Sequence, residues 1–284
     1  MTVRTIDQLA VPGGMLHYEV TGGGPMVLLI ADGESDSGAF DGIVGELGAE
    51  YRVVAYDPRG NSRSPYSGVP AGGEPAGGQV DASVGDALAL IDLLSADEPA
   101  FVFGTGTGAI TGLELIRRYP ERVRMLVAHE PPCVEVLPDA ETSRAFFQDV
   151  HDTFHREGAQ MAQLLYLGGT GLDEDDLPAP EDLRPEYREL LDRTEANLGT
   201  YFAHKLLPFT RYQPDLEALR QLADKVVPAA GREAANHLPA RPVAVLSEHI
   251  GWPVVSFPGG HNGYASHPGQ FATLLARVLE AEIS

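Results

Sequence analysis

One stretch limits what this chain can fold into more than any other. Phe101-Val-Phe103 is a short apolar run of strand type, and it enters Gly104-Thr-Gly-Thr-Gly108 directly, with a helical pattern following from about Ala109 to Tyr119. A strand that reverses into a helix within one turn leaves no room for side chains two residues before and two after its apex. Gly104 and Gly108 meet that demand and place Gly106 at the apex. On its own, a glycine-rich strand-to-helix turn is also how a phosphate is cradled. No Gly-Lys-[Ser/Thr] follows, however, and the turn lies too far along the chain for an N-terminal dinucleotide fingerprint.

Around this turn, short apolar runs alternate with helical patterns, the habit of a parallel sheet covered by helices. Met26–Ile30, Arg52–Tyr56, Met125–Ala128, Val226–Ala229 and Val254–Phe257 are expected as further strands. Val84, Ala87, Leu88, Ile91 and Leu94 recur at helical spacing and predict a helix over 81–95; Gln270–Glu280 predicts a closing helix. Ser67–Gly78, with Pro-Ala-Gly-Gly repeated at 70–73 and 75–78, is expected as a loop. From 134 to 217 the pattern turns helical and polar, with an acidic break at Asp173–Asp176, and is expected as a helical insertion between core segments 1–133 and 218–284.

The turn acquires its meaning from three further segments. Tyr56-Asp-Pro-Arg-Gly-Asn-Ser-Arg-Ser64, Arg118-Tyr-Pro-Glu-Arg-Val-Arg124 and Phe257-Pro-Gly-Gly-His-Asn-Gly-Tyr264 with His267-Pro268 stand at fitting distances from it. In this combination the chain resembles the α/β-hydrolase superfamily over nearly its whole length. The resemblance implies an α/β fold, a mostly parallel sheet flanked by helices, with an inserted helical cap. It also implies that His261 holds the catalytic histidine position. In that superfamily the apex carries Ser, Cys or Asp; here it is Gly106, which has no side chain to attack a carbonyl or an epoxide. Thr107 is the alternative nucleophile, but it would need Thr105 and Ala109 as its small flanks, a register the strand end does not favour.

Two carboxylates compete to orient His261. Glu233 follows the late strand ending near Gly231, where most family members place the acid; Glu130 follows Met125–Ala128, where a minority do, and Pro131-Pro132 restricts where it points. Where relatives carry glycines that offer an N–H to an oxyanion, this chain has Ala31-Asp32-Gly33-Glu34. Turned inward, Asp32 becomes an acid or base whose pKa an apolar pocket would raise; turned outward, it caps a turn. Gly33, Gly106, Thr107, His204 and Tyr264 are the expected substrate-binding positions. Tyr166, Tyr201, Tyr212, His151 and His155 are further aromatic and histidine side chains of the insertion.

Bulk properties narrow the classes. A formal net charge of −21 argues against nucleic acid and anionic membrane surfaces as partners; it says little about a small-molecule substrate, which is the partner expected. The single cysteine, Cys133, excludes an internal disulfide and fits a reducing compartment. With no apolar N-terminal core and no membrane-length run, the expected location is cytoplasmic. No His/Cys/Asp cluster shows metal spacing and no cofactor motif is present, so no metal or cofactor is expected; the oligomeric state is left open. The expected function is non-covalent acid–base chemistry by a histidine–carboxylate pair: elimination, cyclisation, isomerisation, C–C cleavage or direct activation of water. By analogy with relatives in GC-rich bacteria, the expected substrate is a small hydrophobic, polyketide-like metabolite of specialised metabolism. The alternatives are a ligand-binding relative of the hydrolases and an ester hydrolase with an unusual nucleophile.

Overall fold

In a computed structural model, residues 3–68, 78–172 and 185–281 are described. Most of the expected loop at 67–78 and the acidic break at 173–176 lie outside them. Eight strands form one sheet in the order β1-β2-β4-β3-β5-β6-β7-β8. They are β1 Arg4–Val11, β2 Gly14–Thr21, β3 Met26–Ile30, β4 Arg52–Tyr56, β5 Ala100–Thr105, β6 Val123–His129, β7 Val226–Gly231 and β8 Val255–Phe257. β1 and β2 form an antiparallel hairpin at one edge, β2 pairs antiparallel with β4, and every other pairing is parallel. The helices in chain order are α1 Val44–Leu47, α2 Gln79–Leu94, α3 Thr107–Arg118, α4 Ala140–Glu157, α5 Ala159–Thr170, α6 Pro185–Thr200, α7 Leu206–Thr210, α8 Leu216–Arg220, α9 Arg241–Ile250, α10 Gly263–Ser266 and α11 Pro268–Glu280.

The central strands read as unbroken apolar runs because both faces of the sheet are covered. Side chains alternate between faces along each strand. Leu28, Ile30, Val54, Val102 and Leu126 pack with Val84, Leu90 and Ile91 of α2 and Leu113 and Ile116 of α3. Their neighbours Val27, Leu29, Val53, Phe103 and Val127 pack on the opposite face with Leu47 of α1 and Phe271, Leu275 and Leu279 of α11. Helices α4 to α7, between β6 and β7, carry a core of their own from Phe147, Val150, Ala162, Tyr166, Leu198, Tyr201, Phe202 and Leu206.

This second layer is tied to the loops beyond β3 and β4 through α6. Arg193 donates to both carboxylate oxygens of buried Asp36, at 2.5 and 3.1 Å. Asn197 donates to the Glu34 carbonyl at 2.7 Å and accepts from the Ser62 amide at 2.8 Å. Between α6 and α7, Tyr201–Lys205 forms one π-helical turn, a distortion that recurs at functional sites. Among the described residues no helix is long and apolar enough to cross a membrane.

Candidate active site

The carboxyl ends of parallel strands, where open α/β sheets bind their ligands, bring four segments together here. Asp32 follows β3, Gly106 follows β5, Glu130 follows β6, and His261 follows β8.

Gly106 caps α3 at φ 55°, ψ −121°, a conformation open to glycine and strained for other residues. Its amide donates to the His129 carbonyl at 3.0 Å, which pins the turn to the end of β6. A Cβ on Gly104 would lie 2.3 Å from the Gly108 carbonyl oxygen, so the tight turn tolerates only glycine there. A Cβ on Gly106 would lie 2.0 Å from Cγ of Asp32 and 2.1 and 2.2 Å from its oxygens. The volume of an apex side chain is therefore filled by the Asp32 carboxylate.

That carboxylate is held on both oxygens. Oδ1 accepts from the Thr107 amide at 2.6 Å and the Gly33 amide at 2.7 Å. These are the two backbone donors that face a developing oxyanion in this architecture. Oδ2 lies 3.1 Å from Nε2 of His261, whose Nδ1 lies 2.6 Å from Oε2 of Glu130. Glu130 is fully buried at φ 48°, and its Oε1 accepts from the Gly231 amide at 2.7 Å. A non-glycine residue held at positive φ stores strain that its surroundings must outweigh; here Pro131 and the carboxylate's two bonds fix it. Glu233 is exposed just past β7 and does not reach His261, because the chain turns outward while the Gly231 amide serves Glu130.

Burial pushes His261 down, but its bonds to Asp32 and Glu130 outweigh burial and hold it well above the ordinary histidine range. Burial pushes both carboxylates up, and their bonds to His261 leave them below the ordinary range. The resting charges are thus carboxylate, imidazolium, carboxylate. Two sequence expectations change accordingly. Asp32 turns inward, but its pKa falls, because two amides and an imidazolium stabilise its charge. His261 carries a proton on each ring nitrogen at rest, so the unprotonated atoms facing it belong to carboxylates.

The remaining expected positions divide. Gly33 and Thr107 supply the amides on Asp32, and Thr107 Oγ1, buried, accepts from the Gly33 amide at 2.8 Å. Tyr264 is a core residue, packed on Phe40 and Phe271 with its hydroxyl donating to Asn262 at 2.8 Å; its place in the histidine loop does not direct its ring to the site. His204 is half-buried in the π-helical turn. Tyr212 bonds Glu114 beside α3, and His151 and His155 meet at 3.2 Å on the outer side of α4.

Of the groups around Asp32, Tyr166 and Tyr201 are among the aromatic side chains expected in the insertion, whereas Glu34 and Lys205 are not singled out by the sequence. Tyr201 packs on Gly33 and lies 3.4 Å from the Tyr166 hydroxyl, and both phenols are pushed up by burial and by the charges of Asp32 and Glu34. Glu34 is pushed up to about 7, first by burial and then by the Asp32 charge. Lys205 is buried and pulled down to about 7 by that burial; it donates to Asn61 at 2.5 Å, and Asn61 in turn donates to the Gly33 and Ser35 carbonyls at 2.9 and 2.7 Å. The short-spaced acids beside Asp32 were the available signal for Glu34. His129, Glu130 and His261 lie close enough to share a cation, but Glu130 and His261 are already bonded directly to each other.

A profile of the α/β-hydrolase fold matches residues 24–168. The chain is 31% identical over 289 aligned positions to the uncharacterized hydrolase YraK of Bacillus subtilis strain 168, covering 99% of this chain and 98% of that one. It is 29% identical to a zearalenone hydrolase of Cladophialophora bantiana, covering 90% and 89%. A thermophilic esterase of Thermogutta terrifontis superposes over the full length of both chains with a TM-score of 0.73 at 20% identity. The chain belongs to the α/β-hydrolase fold family, and its curated relatives include hydrolases.

Proposed function

We propose that this family member works without an acyl-enzyme, as an acid–base enzyme on a small molecule, with Asp32 as the base and His261–Glu130 as its charged support. One observation carries the reading: the Asp32 carboxylate stands in the volume of the apex side chain and occupies both oxyanion donors. An ester attacked at this position would find no free amide for its oxyanion, a loss that costs ~10²–10³-fold per donor in acyl transfer. A carboxylate fixed there takes a proton from a substrate C–H or O–H, or from a water, and the imidazolium steadies the base before and after. Helices 134–217 act as a cap, whose Tyr201 packs its ring against Gly33 beside Asp32, and the substrate is a small hydrophobic molecule.

The test is a panel of enolisable ketones, lactones and esters incubated in D2O with wild type and Asp32→Asn. Deuterium uptake or product formation that falls ~10²–10⁴-fold in Asp32→Asn supports the base. A burst of acyl-enzyme, or labelling by a serine-directed phosphonate, overturns it.

A second reading is favoured by the bonds on Asp32 itself. With Oδ1 anchored by two amides, Oδ2 is placed to attack a saturated carbon such as an epoxide, giving an aspartyl ester. Single turnover in H2(18)O separates the two, since only the ester route leaves (18)O in Asp32.

A further inference from the structure

The turn that carries Asp32 is held more firmly than one side chain requires. Ser35 donates its amide to the Asp32 carbonyl at 2.9 Å, closing the turn. The next three carbonyls are each gripped by an asparagine: Gly33 and Ser35 by Asn61, at 2.9 and 2.7 Å, and Glu34 by Asn197, at 2.7 Å. Asn61 cannot flip, because Lys205 donates to its Oδ1. The clamp draws on the loop after β4, on α6 and on the π-helical turn. Yet the Glu34 carboxyl that it positions accepts no hydrogen bond from another described residue, although it is half-buried.

We propose that Glu34 is the proton donor of this site, working opposite Asp32 in a two-carboxyl pair on neutral substrates that lose a proton from carbon and gain one on oxygen. This rests on the reading of Asp32 as base. In an elimination, Asp32 Oδ2 takes the proton, the C–H electron pair becomes the new C=C bond, the C–O bond breaks with its electrons, and the Glu34 proton goes to the departing oxygen. Asp32 then returns its proton to Glu34 through solvent, and the balance closes with no other reactant.

The environments of the two carboxyls separate their roles. Asp32 is kept charged by two amides and His261. Glu34 is bonded only by its own backbone amide and faces the charges of Asp32, His261 and Lys205, with the phenols of Tyr166 and Tyr201 in the same field; pushed up to about 7, it holds its proton below neutrality and shares it near neutrality. Two carboxyls driven apart in this way are the usual basis of an acid–base division of labour.

The experiment compares wild type, Glu34→Gln, Glu34→Asp and Asp32→Asn. Glu34→Gln is expected to keep Asp32-dependent deuterium exchange within about threefold while net conversion falls ~10²-fold or more, with partial recovery in Glu34→Asp. Loss of both in equal measure, or of neither, overturns the assignment to Glu34. Insensitivity of all activity to Asp32→Asn overturns the base instead, so the two failures are distinguishable. Carboxyl carbon NMR adds a readout that needs no substrate: Glu34 should titrate near 7 in wild type and lower in Asp32→Asn. An ordinary carboxylate titration in wild type overturns the proposal.

Discussion

Asp32 and Gly106 exclude each other's side chains: a Cβ on Gly106 would come within 2.0 Å of the Asp32 carboxyl carbon. The bare apex and the inward carboxylate are therefore one arrangement, and neither position can be changed without regard to the other.

It follows that a serine at the apex will not by itself restore a hydrolase. Gly106→Ser collides with Asp32, adopts a φ of 55° at a cost of about 1–3 kcal/mol, and finds both amide donors taken. Asp32→Gly with Gly106→Ser clears the volume and frees the amides. Nitrophenyl ester hydrolysis is expected from the double variant and not from the single one. An active single variant would show that Asp32 leaves this position readily.

Glu130→Gln can keep the acceptor for the Gly231 amide only by turning its NH2, a donor, toward Nδ1 of His261. The imidazolium then keeps one carboxylate instead of two. At pH 7, (15)N NMR should show both ring nitrogens of His261 protonated in wild type, and a titration displaced downward in the variant. Breaking a buried pair costs up to roughly 3–5 kcal/mol, so the melting temperature should fall as well. A neutral His261 in wild type at pH 7 would sink the charge assignment.

Arg193 reaches across from α6 to buried Asp36, and its loss leaves that carboxylate with the Ser62 hydroxyl, the Gly38 amide and the more distant Arg63 guanidinium at 3.9 Å. Arg193→Ala should cost about 1.5–3 kcal/mol, the value of hydrogen bonds to a charged group. Hydrogen exchange locates the effect: α6 amides should lose protection while β3, β5 and β6 keep theirs. Uniform loss across the sheet would mean that α6 is not a separable layer.

What could be read in the chain beforehand follows from how local each cause is. Met26–Ile30 and Arg52–Tyr56 were legible to the residue because doubly covered strands are continuous apolar runs. β1 was not: Arg-Thr-Ile-Asp-Gln-Leu-Ala-Val is an exposed edge strand with little apolar pattern, ordered by pairing with β2. The apex was legible because the need for glycine at 104 and 108 arises within five residues. The Asp32 carboxylate over Gly106 is a contact between residues 74 apart, and no local pattern encodes it. Tyr264 is the converse case: nearness to His261 in sequence says nothing of where the ring packs, and it packs on Phe40 and Phe271. Lys205 gave no signal because its burial depends on a π-helical turn seated on Asn61.

His129 offers the sharpest test of buried charge. It lies between Thr105, 3.1 Å from Nδ1, and a cage of Phe103, Phe257 and Phe271, and its Nε2 is buried without a hydrogen-bond partner. Burial pulls its pKa down to about 4. The unfolded chain therefore binds a proton at this histidine between about pH 6.5 and 4 while the folded chain does not, so this residue makes stability rise with pH across that window. By 1.36 kcal/mol per unit, the 2.5 units amount to about 3 kcal/mol lost on going from pH 7 to pH 4. His129→Phe fills the aromatic cage, removes the titration and gives up the bond to Thr105, worth about 1 kcal/mol. The variant should be slightly less stable than wild type at pH 7.5 and more stable at pH 4.5, with denaturation curves crossing in between. Curves that stay parallel from pH 7.5 to 4.5 would mean that His129 is protonated in the folded chain, and its place beside Glu130 and His261 would then have to be read as a second imidazolium.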